Sequence, residues 1–355
     1  DPLFVQKAKD GVSDQINTCI GCNQACLDHV FSGKMTSCLV NPRACHETEL
    51  IITDATAKKK LAVIGAGPAG LSFAATAASR GHQVTLFDSA SEIGGQFNVA
   101  KQVPGKEEFF ETIRYFGKQI ELTNVDLRLN TPVTADDLNN GDFDEVILAT
   151  GINPRLPEIE GIEHASVLTY LDVLKHKIPV GKKVAVIGAG GIGFDVSEYL
   201  AHSGVATSQN IPAFMKEWGV DMNMEARGGI EGVEAQITPS AREIYLLQRK
   251  KSKVGGKLGK TTGWIHRAGL INKGVNMIPS CSYDKIDDQG LHITIGEESK
   301  ILDVDNVIIC AGQDPMRALV EGLNKPHHLI GGADVAAELD AKRAIDQGTR
   351  LAAEI

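Results

Sequence analysis

The sequence predicts an α/β fold built on two Rossmann-like dinucleotide-binding domains, the second inserted in the first and preceded by a small iron–sulfur segment. Three observations carry this expectation. A strand, a glycine-rich turn and a helix follow one another at Gly65-Ala66-Gly67-Pro68-Ala69-Gly70, and again at Gly188-Ala189-Gly190-Gly191-Ile192-Gly193. The C-terminal piece reads as the end of the first of these domains, which places the second inside it. Ahead of both, Cys19, Cys22, Cys26 and Cys38 crowd one short segment.

The bulk properties narrow the function. A chain of 355 residues has room for two or three domains with sizeable cores. Its net charge of −9 and pI of about 5.6 argue against nucleic acid or an anionic membrane as the main partner. No apolar run approaches the roughly 18–20 residues a membrane span needs, and no signal-peptide pattern opens the chain. Four of the seven cysteines fall in one segment of a large chain, which reads as metal ligation in a reducing compartment rather than a secreted disulfide framework. A cytoplasmic enzyme component is expected. The chain opens on Asp1-Pro2 without an initiator Met, and is expected to be processed, truncated or a fragment.

Taken in order, residues 1–18 hold no motif of their own. Residues 19–53 form the cysteine segment, with turn-prone Gly21, Gly33, Asn41 and Pro42. Its spacing, C-x2-C-x3-C-x11-C, suits four-fold thiolate ligation of an iron–sulfur cluster or a zinc ion. Zinc would add only stability. A cluster would add an electron exit and join all three motifs into one route, so it is the preferred reading. Cys45 lies outside the spacing and is expected as a small packed side chain, while Cys281 and Cys310 are expected to be buried and inert.

A lysine run at 58–60 leads into an apolar strand at 61–64, a glycine turn, an alanine-rich helix at 71–79 and a strand at 83–87 that ends on Asp88. Another buried strand at 144–148 is closed by Ala149-Thr150-Gly151, and Pro154 and Pro157 mark a crossing. The second unit opens with a strand at 183–187, and its helix runs to about Ala201. Its next strand arrives late, at 243–247, so 205–241 is an insertion without an assigned role. A strand at 307–310 ends at Ala311-Gly312, and a turn at 331–334 precedes a final helix over roughly 335–353. The expected domains are 1–53, then 54–152 with 313–355, then 153–312.

Each glycine of the first fingerprint has an expected task. Gly65 permits the tight turn, Gly67 lets backbone approach a pyrophosphate, and Gly70 lets the helix pack close to the sheet. The helix N-terminus, with Ala69 in its first turn, offers N–H groups and a positive dipole end to the phosphates. Asp88 is placed to accept hydrogen bonds from the adenosine ribose hydroxyls. In Gly94-Gly95-Gln96 a second glycine pair brings backbone toward the same dinucleotide and Gln96 reaches the isoalloxazine or ribityl chain, or the motif is a simple turn. Val133 suits a strand position facing an adenine edge. Lys106 is either a solvated lysine or a cofactor contact.

In the second fingerprint, Gly188, Gly190 and Gly193 repeat the pattern, and the residues after the late strand decide the cofactor. A site for NAD tends to carry Asp or Glu there, whereas this chain has Gln248-Arg249-Lys250-Lys251. Arg249 and Lys250 can pair with a 2′-phosphate, which points to NADP(H); the alternative is NAD(H) beside a merely solvated basic loop. Lys253, Lys257 and Lys260 extend the positive field or form a generic charged face. The ten histidines form no H-x3-H or H-E-x-x-H pattern and no G-x-S-x-G is present, so hydrolase readings lack support.

With these motifs placed, the whole chain resembles the C-terminal half of the bacterial NADPH-dependent 2,4-dienoyl-CoA reductases, which group with trimethylamine dehydrogenase and other iron–sulfur flavoenzymes. The cysteine spacing carries the resemblance, with Gly21-Cys22-Asn23-Gln24-Ala25-Cys26 and Val40-Asn41-Pro42 beside it. Residues 1–10 resemble the tail of the FMN-binding barrel that precedes the cluster in that family. The 331–334 turn and following helix look like its closing FAD element, which implies FAD contacts at Asp334 and Val335; Gln24 is implied as another. The resemblance implies FAD, a [4Fe–4S] cluster on the four cysteines, NADP(H), and FMN in a barrel that these residues do not include. The implied partners are NADPH and, through the barrel, an unsaturated acyl-CoA of fatty acid β-oxidation. On this reading the chain is an electron-input half with no catalytic acid or base of its own. Two alternatives stay open: a related NAD(P)H-dependent enoate reductase, and a non-catalytic nucleotide-binding module of an amine dehydrogenase-like protein.

Overall fold

Near-continuous apolar runs make strands that are buried on both faces, the signature of a parallel sheet covered by helices. Leu61, Ala62 and Val63 are such a run, and all three are 0 % exposed in the computed structural model, which describes residues 1–336 and 340–355. The chain divides into two compact units: residues 1–98, 108–153 and 313–355 form the first, and residues 99–107 and 154–312 the second. The cysteine segment is part of the first unit.

The first unit carries a parallel five-stranded sheet in the order His327–Leu329, Glu145–Leu148, Lys60–Ile64, Gln83–Phe87, Asp126–Arg128. Chain order reverses between Lys60–Ile64 and Glu145–Leu148, and at such a switch point the connections leave to opposite faces and open a crevice at the carboxyl ends of the strands. The helix after the first strand spans Pro68–Ser79, with Pro68 in its first turn, and so starts earlier than the expected 71–79. Proline fixes a helical φ and gives up only an N–H that the first turn could not have bonded.

The C-terminal helix, Ala341–Glu354, lies against this helix. A side chain at Gly348 would put its Cβ 2.4 Å from the Ala69 carbonyl oxygen, so glycine is what lets the two helices touch. Ser72 Oγ, between them, donates to the Ile345 carbonyl at 2.8 Å and meets Thr349 Oγ1 at 2.7 Å. The sequence predicts the final helix over 335–353. Residues 335 and 336 are not helical, and residues 337–339 of that expectation lie outside the described residues. Ile20, Cys22 and Cys38 of the cysteine segment pack on the same hydrophobic cluster as Ala66 and Ala69 of the first glycine turn.

The second unit repeats the plan, with parallel order Val167–Thr169, Asn306–Ile309, Lys183–Ile187, Glu243–Leu247, Asn276–Ile278. One face is covered by helix Gly191–Ala201 together with Val99 and Val103. An antiparallel meander, Cys281–Asp287, Gly290–Ile295 and Glu298–Leu302, covers the other. The late strand pairs normally, Ile187 facing Leu247, so the insertion leaves the sheet register intact. Within 205–241 only Gly219 is buried. Lys273 holds the insertion to the unit: its ammonium lies 3.6 Å from the Glu217 carboxylate and its carbonyl accepts from Ser240 N at 3.4 Å.

Replacing Gly348 by valine tests the helix contact. Overpacking should cost about 1–3 kcal/mol and lower the urea midpoint, although glycine is the poorer helix former. A raised midpoint would show that the helices can move apart at no cost.

Candidate functional site

Three glycines of the first fingerprint meet different surroundings. Gly65 has φ +109° and donates its N–H to the Phe87 carbonyl at 2.8 Å, and a Cβ there would lie 2.3 Å from the Ala149 oxygen. A Cβ on Gly70 would lie 1.9 Å from the Gly65 oxygen. The fold itself requires both. Gly67 is unlike them: its Cβ position meets only the Gly95 Cα, at an ordinary 3.9 Å. The space in front of Gly67 is where helix Pro68–Ser79 presents its unbonded N–H groups, and phosphate is the group such an N-terminus takes.

The residues around this space come from separate parts of the first unit. Asp88, half-buried, accepts from the Ala66 amide at 2.7 Å and the Ala90 amide at 2.8 Å, each on one carboxylate oxygen. Gly94 N donates to the Ala66 carbonyl at 2.8 Å, and Gly95, at φ +52°, would place a Cβ 2.9 Å from Gly67 Cα. The glycine pair thus closes directly on the fingerprint, with half-buried Gln96 next to it. The 331–334 turn reaches the same helix start, where a Cβ on Gly331 would lie 2.8 Å from Ala69 Cβ. Gln347 braces that turn, accepting from Gly331 N and donating to Asp334, each at 2.8 Å, while Val335 is exposed.

Two expected residues stand differently. Val133 is in no strand; it is half-buried just ahead of the Thr134 cap of helix Ala135–Asn140, although the Thr131 amide donates to the Asp88 carbonyl at 2.9 Å and so brings that segment alongside. Lys106 belongs to the second unit, where its ammonium pairs with Asp195 at 2.7 Å. Asp195 lies two residues beyond Gly193, a partner that sequence spacing alone does not reveal.

The second fingerprint has the same geometry. Gly188, at φ +107°, donates to the Leu247 carbonyl at 3.1 Å, and its Cβ would lie 2.4 Å from the Cys310 oxygen. A Cβ on Gly193 would lie 1.8 Å from the Gly188 oxygen, whereas one on Gly190 would meet nothing within 4 Å among the described residues. Arg249 and Lys250 come directly after the adjacent strand and are exposed. Their loop is anchored by buried Val254 and by Gly255, whose Cβ would lie 2.6 Å from the ring of Phe194, the residue after Gly193. Lys257 faces Lys250 and pushes its pKa down, as two ammonium groups do when no anion lies between them. Burial first, and then the charge of Lys106, lowers the pKa of His266.

The four cysteines share one neighbourhood. Cys19 is exposed and Cys22, Cys26 and Cys38 are half-buried. Burial pushes the Cys22 thiol up; the Gln24 backbone N–H pulls it down, and Cys38, Cys26 and Cys19 push it up again. Gly21 and Asn23, at φ +62° and +58°, turn the loop tightly, and Ser37 N donates to the Ala25 carbonyl at 2.8 Å to bring Cys38 back. Among the described residues no three His, Cys, Asp or Glu side chains are gathered as one metal ion would need. The Gln24 side chain is exposed. Cys45, expected to be packed, is exposed at φ +64°, because its turn projects it from the surface. Cys281 and Cys310 are buried.

The profile of the pyridine nucleotide-disulphide oxidoreductase family matches residues 59–340. A metal reductase of Desulforamulus reducens is 32 % identical over 327 residues, 91 % of this chain and 48 % of its own length. A cinnamate reductase of Clostridium sporogenes is 32 % identical over 192 residues, 54 % of this chain and 28 % of its own length. A solved 2-naphthoyl-CoA reductase in complex with 2-naphthoyl-CoA superposes with a TM-score of 0.84 at 29 % identity, over 100 % of this chain and 49 % of that one. The chain thus spans about half the length of the metal reductase and of the solved structure.

Gly67→Val tests the open position. Its Cβ fits the free protein, so circular dichroism should be unchanged, while flavin retained after reconstitution should fall about ten-fold or more because the side chain fills the phosphate space. Full flavin content in a folded Gly67→Val protein would place the flavin elsewhere.

Proposed function

We propose that this chain, which belongs to the pyridine nucleotide-disulphide oxidoreductase family, is the NADPH-oxidising, electron-input half of a flavin and iron–sulfur reductase of unsaturated acyl-CoA thioesters. Membership makes it an oxidoreductase using a flavin and a pyridine nucleotide. The observation that carries the finer reading is the pair of matched cradles, each with an open approach among the described residues, at Gly67 in the first and at Gly190 and Gly191 in the second, between two glycines that the fold closes. Two dinucleotides suit two such cradles.

The side chains assign them. Beside the first, Asp88 offers a carboxylate to ribose hydroxyls, with Gly65, Gly67, Ala69, Gly70 and Gly95 around the phosphates of FAD, Gln96 toward the isoalloxazine or ribityl chain, and Asp334 and Val335 at the closing turn. Beside the second, no acid comes after the strand, and Arg249 and Lys250 present cations to a 2′-phosphate. NADPH is therefore the donor. A bound flavin accepts a two-electron hydride and releases electrons singly.

Single electrons need a one-electron carrier, and Cys19, Cys22, Cys26 and Cys38 fit a [4Fe–4S] cluster. What supports the cluster is the C-x2-C-x3-C-x11-C spacing of these four thiols on one short segment. Clustered reduced thiols suit a cytoplasmic setting, and no helix among the described residues is long and apolar enough to cross a membrane. The acceptor is FMN in a further domain, a reading supported by the greater length of the relatives. The substrate assigned is a 2,4-dienoyl-CoA of fatty acid β-oxidation, supported by the cysteine spacing and by likeness to a reductase solved with a conjugated acyl-CoA. A free enoate is the second reading, favoured by the cinnamate reductase relative.

Anaerobically prepared protein should contain iron and acid-labile sulfide in near-equal amounts. With NADPH it should reduce ferricyanide but leave 2,4-dienoyl-CoA unchanged. Stoichiometric zinc without sulfide would overturn the cluster, and dienoyl-CoA turnover by these residues alone would overturn the division of labour.

A further inference from the structure

Despite the 205–241 insertion in the second unit, the two units pair their first and second strands in the same register and diverge just after the second strand. Ile64 faces Phe87 in the first unit and Ile187 faces Leu247 in the second, and the fingerprint's first glycine donates to Phe87 or to Leu247. The next residue is Asp88 in one unit and Gln248 in the other. Asp88 turns toward its glycine turn and accepts from the Ala66 amide at 2.7 Å. Gln248 turns away. Its Nε2 donates to the Lys250 carbonyl at 2.9 Å and the Ser252 carbonyl at 2.7 Å, and lies 3.3 Å from Ser252 Oγ. The Ala189 amide, counterpart of Ala66, has no acceptor among the described residues.

We infer that Gln248 is a positioning residue that fits the second cradle to a 2′-phosphorylated nucleotide by folding the basic loop back on itself. The inference rests on the NADP(H) reading of that cradle. Gln248 works from a fixed base, because its N–H donates to the Ile278 carbonyl at 2.9 Å and its carbonyl accepts from Cys281 N at 3.1 Å. Ser280 N donates to the Lys250 carbonyl at 3.2 Å, so that oxygen is held from two sides. The tie across residues 250–252 and the anchor at Val254 and Gly255 leave Arg249, Lys250 and Lys257 as cations on a short, closed loop.

A primary amide suits this position because its NH2 can donate to two carbonyl oxygens without adding charge. An ionised glutamate has the same shape and no donor. It would face those oxygens with negative charge, release the loop, and be free to accept from ribose hydroxyls while repelling a 2′-phosphate. One replacement of NH2 by oxygen therefore removes the support for one nucleotide and supplies the recognition group for the other.

The test is equilibrium binding of adenosine 2′,5′-bisphosphate and of adenosine 5′-monophosphate, neither of which is redox active, to the purified chain by calorimetry. The natural sequence should prefer the bisphosphate. Gln248→Glu should lose about ten-fold or more in affinity for the bisphosphate and gain for the monophosphate. Gln248→Ala removes the tie without adding charge, so it should weaken only the bisphosphate and speed tryptic cleavage after Arg249, Lys250, Lys251 and Lys253. A preference unchanged by Gln248→Glu, or Gln248→Ala with unaltered binding and cleavage, overturns the role given to Gln248. If the natural sequence itself has no preference, the NADP(H) reading fails first and the role of Gln248 with it.

Discussion

In both units the helix after the glycine turn begins where no side chain fits between it and the turn. A Cβ on the third glycine would lie 1.9 Å from the first glycine's carbonyl oxygen in one unit and 1.8 Å in the other. That closeness fixes the start of the helix against the end of the central strand. It therefore aims the unbonded N–H groups of the first turn into the crevice where chain order reverses. The packing that stabilises each unit and the polar groups that offer it a ligand are consequences of one steric constraint. The C-terminal helix extends the logic, since Gly348 brings it onto the Ala69 carbonyl and carries the 331–334 turn to the mouth of the first cradle.

On this shared backbone the two cradles differ in charge, and the proposed assignment of their ligands rests on that difference. The first has a carboxylate beside its turn, bonded to the Ala66 amide. The second has a neutral amide there and cations beyond it. Its own acid, Asp195, lies further along the helix and is paired with Lys106 at 2.7 Å, so it adds little negative field at the place where phosphates would lie. The cysteine segment belongs to the first unit and packs on the cluster that includes Ala66 and Ala69. The first glycine turn and the cysteine segment therefore share one core.

Much of the fold and of the two cradles is legible in the sequence because strand, glycine turn and helix recur as local signals. Buried parallel strands read as apolar runs, and the fingerprints need no distant information. The features that sequence alone misses depend on local turn and cap geometry or on contacts between distant residues. Cys45 reads as packed because thiols usually are, but its turn leaves it exposed. Lys106 reads equally as a solvated lysine or a cofactor contact, and tertiary packing, which puts 99–107 in the second unit, pairs it with Asp195. Val133 suits a strand by its residue type, yet the capping box at Thr134 sets that segment as the approach to a helix. Gln248 opens the stretch where the sequence expects an acid for NAD, and the strand register makes it the counterpart of Asp88.

If the open positions at Gly67 and at Gly190 belong to two separate nucleotides, Gly190→Val in the flavin-loaded protein should disturb one and spare the other. Under anaerobic conditions the variant should retain its flavin and be bleached by dithionite as the natural sequence is, while bleaching by NADPH falls at least about ten-fold, the loss of roughly 1.4 kcal/mol or more of binding. Bleaching by NADPH at the natural rate and concentration dependence would contradict that separation, because the pyridine nucleotide would then bind without using the second cradle.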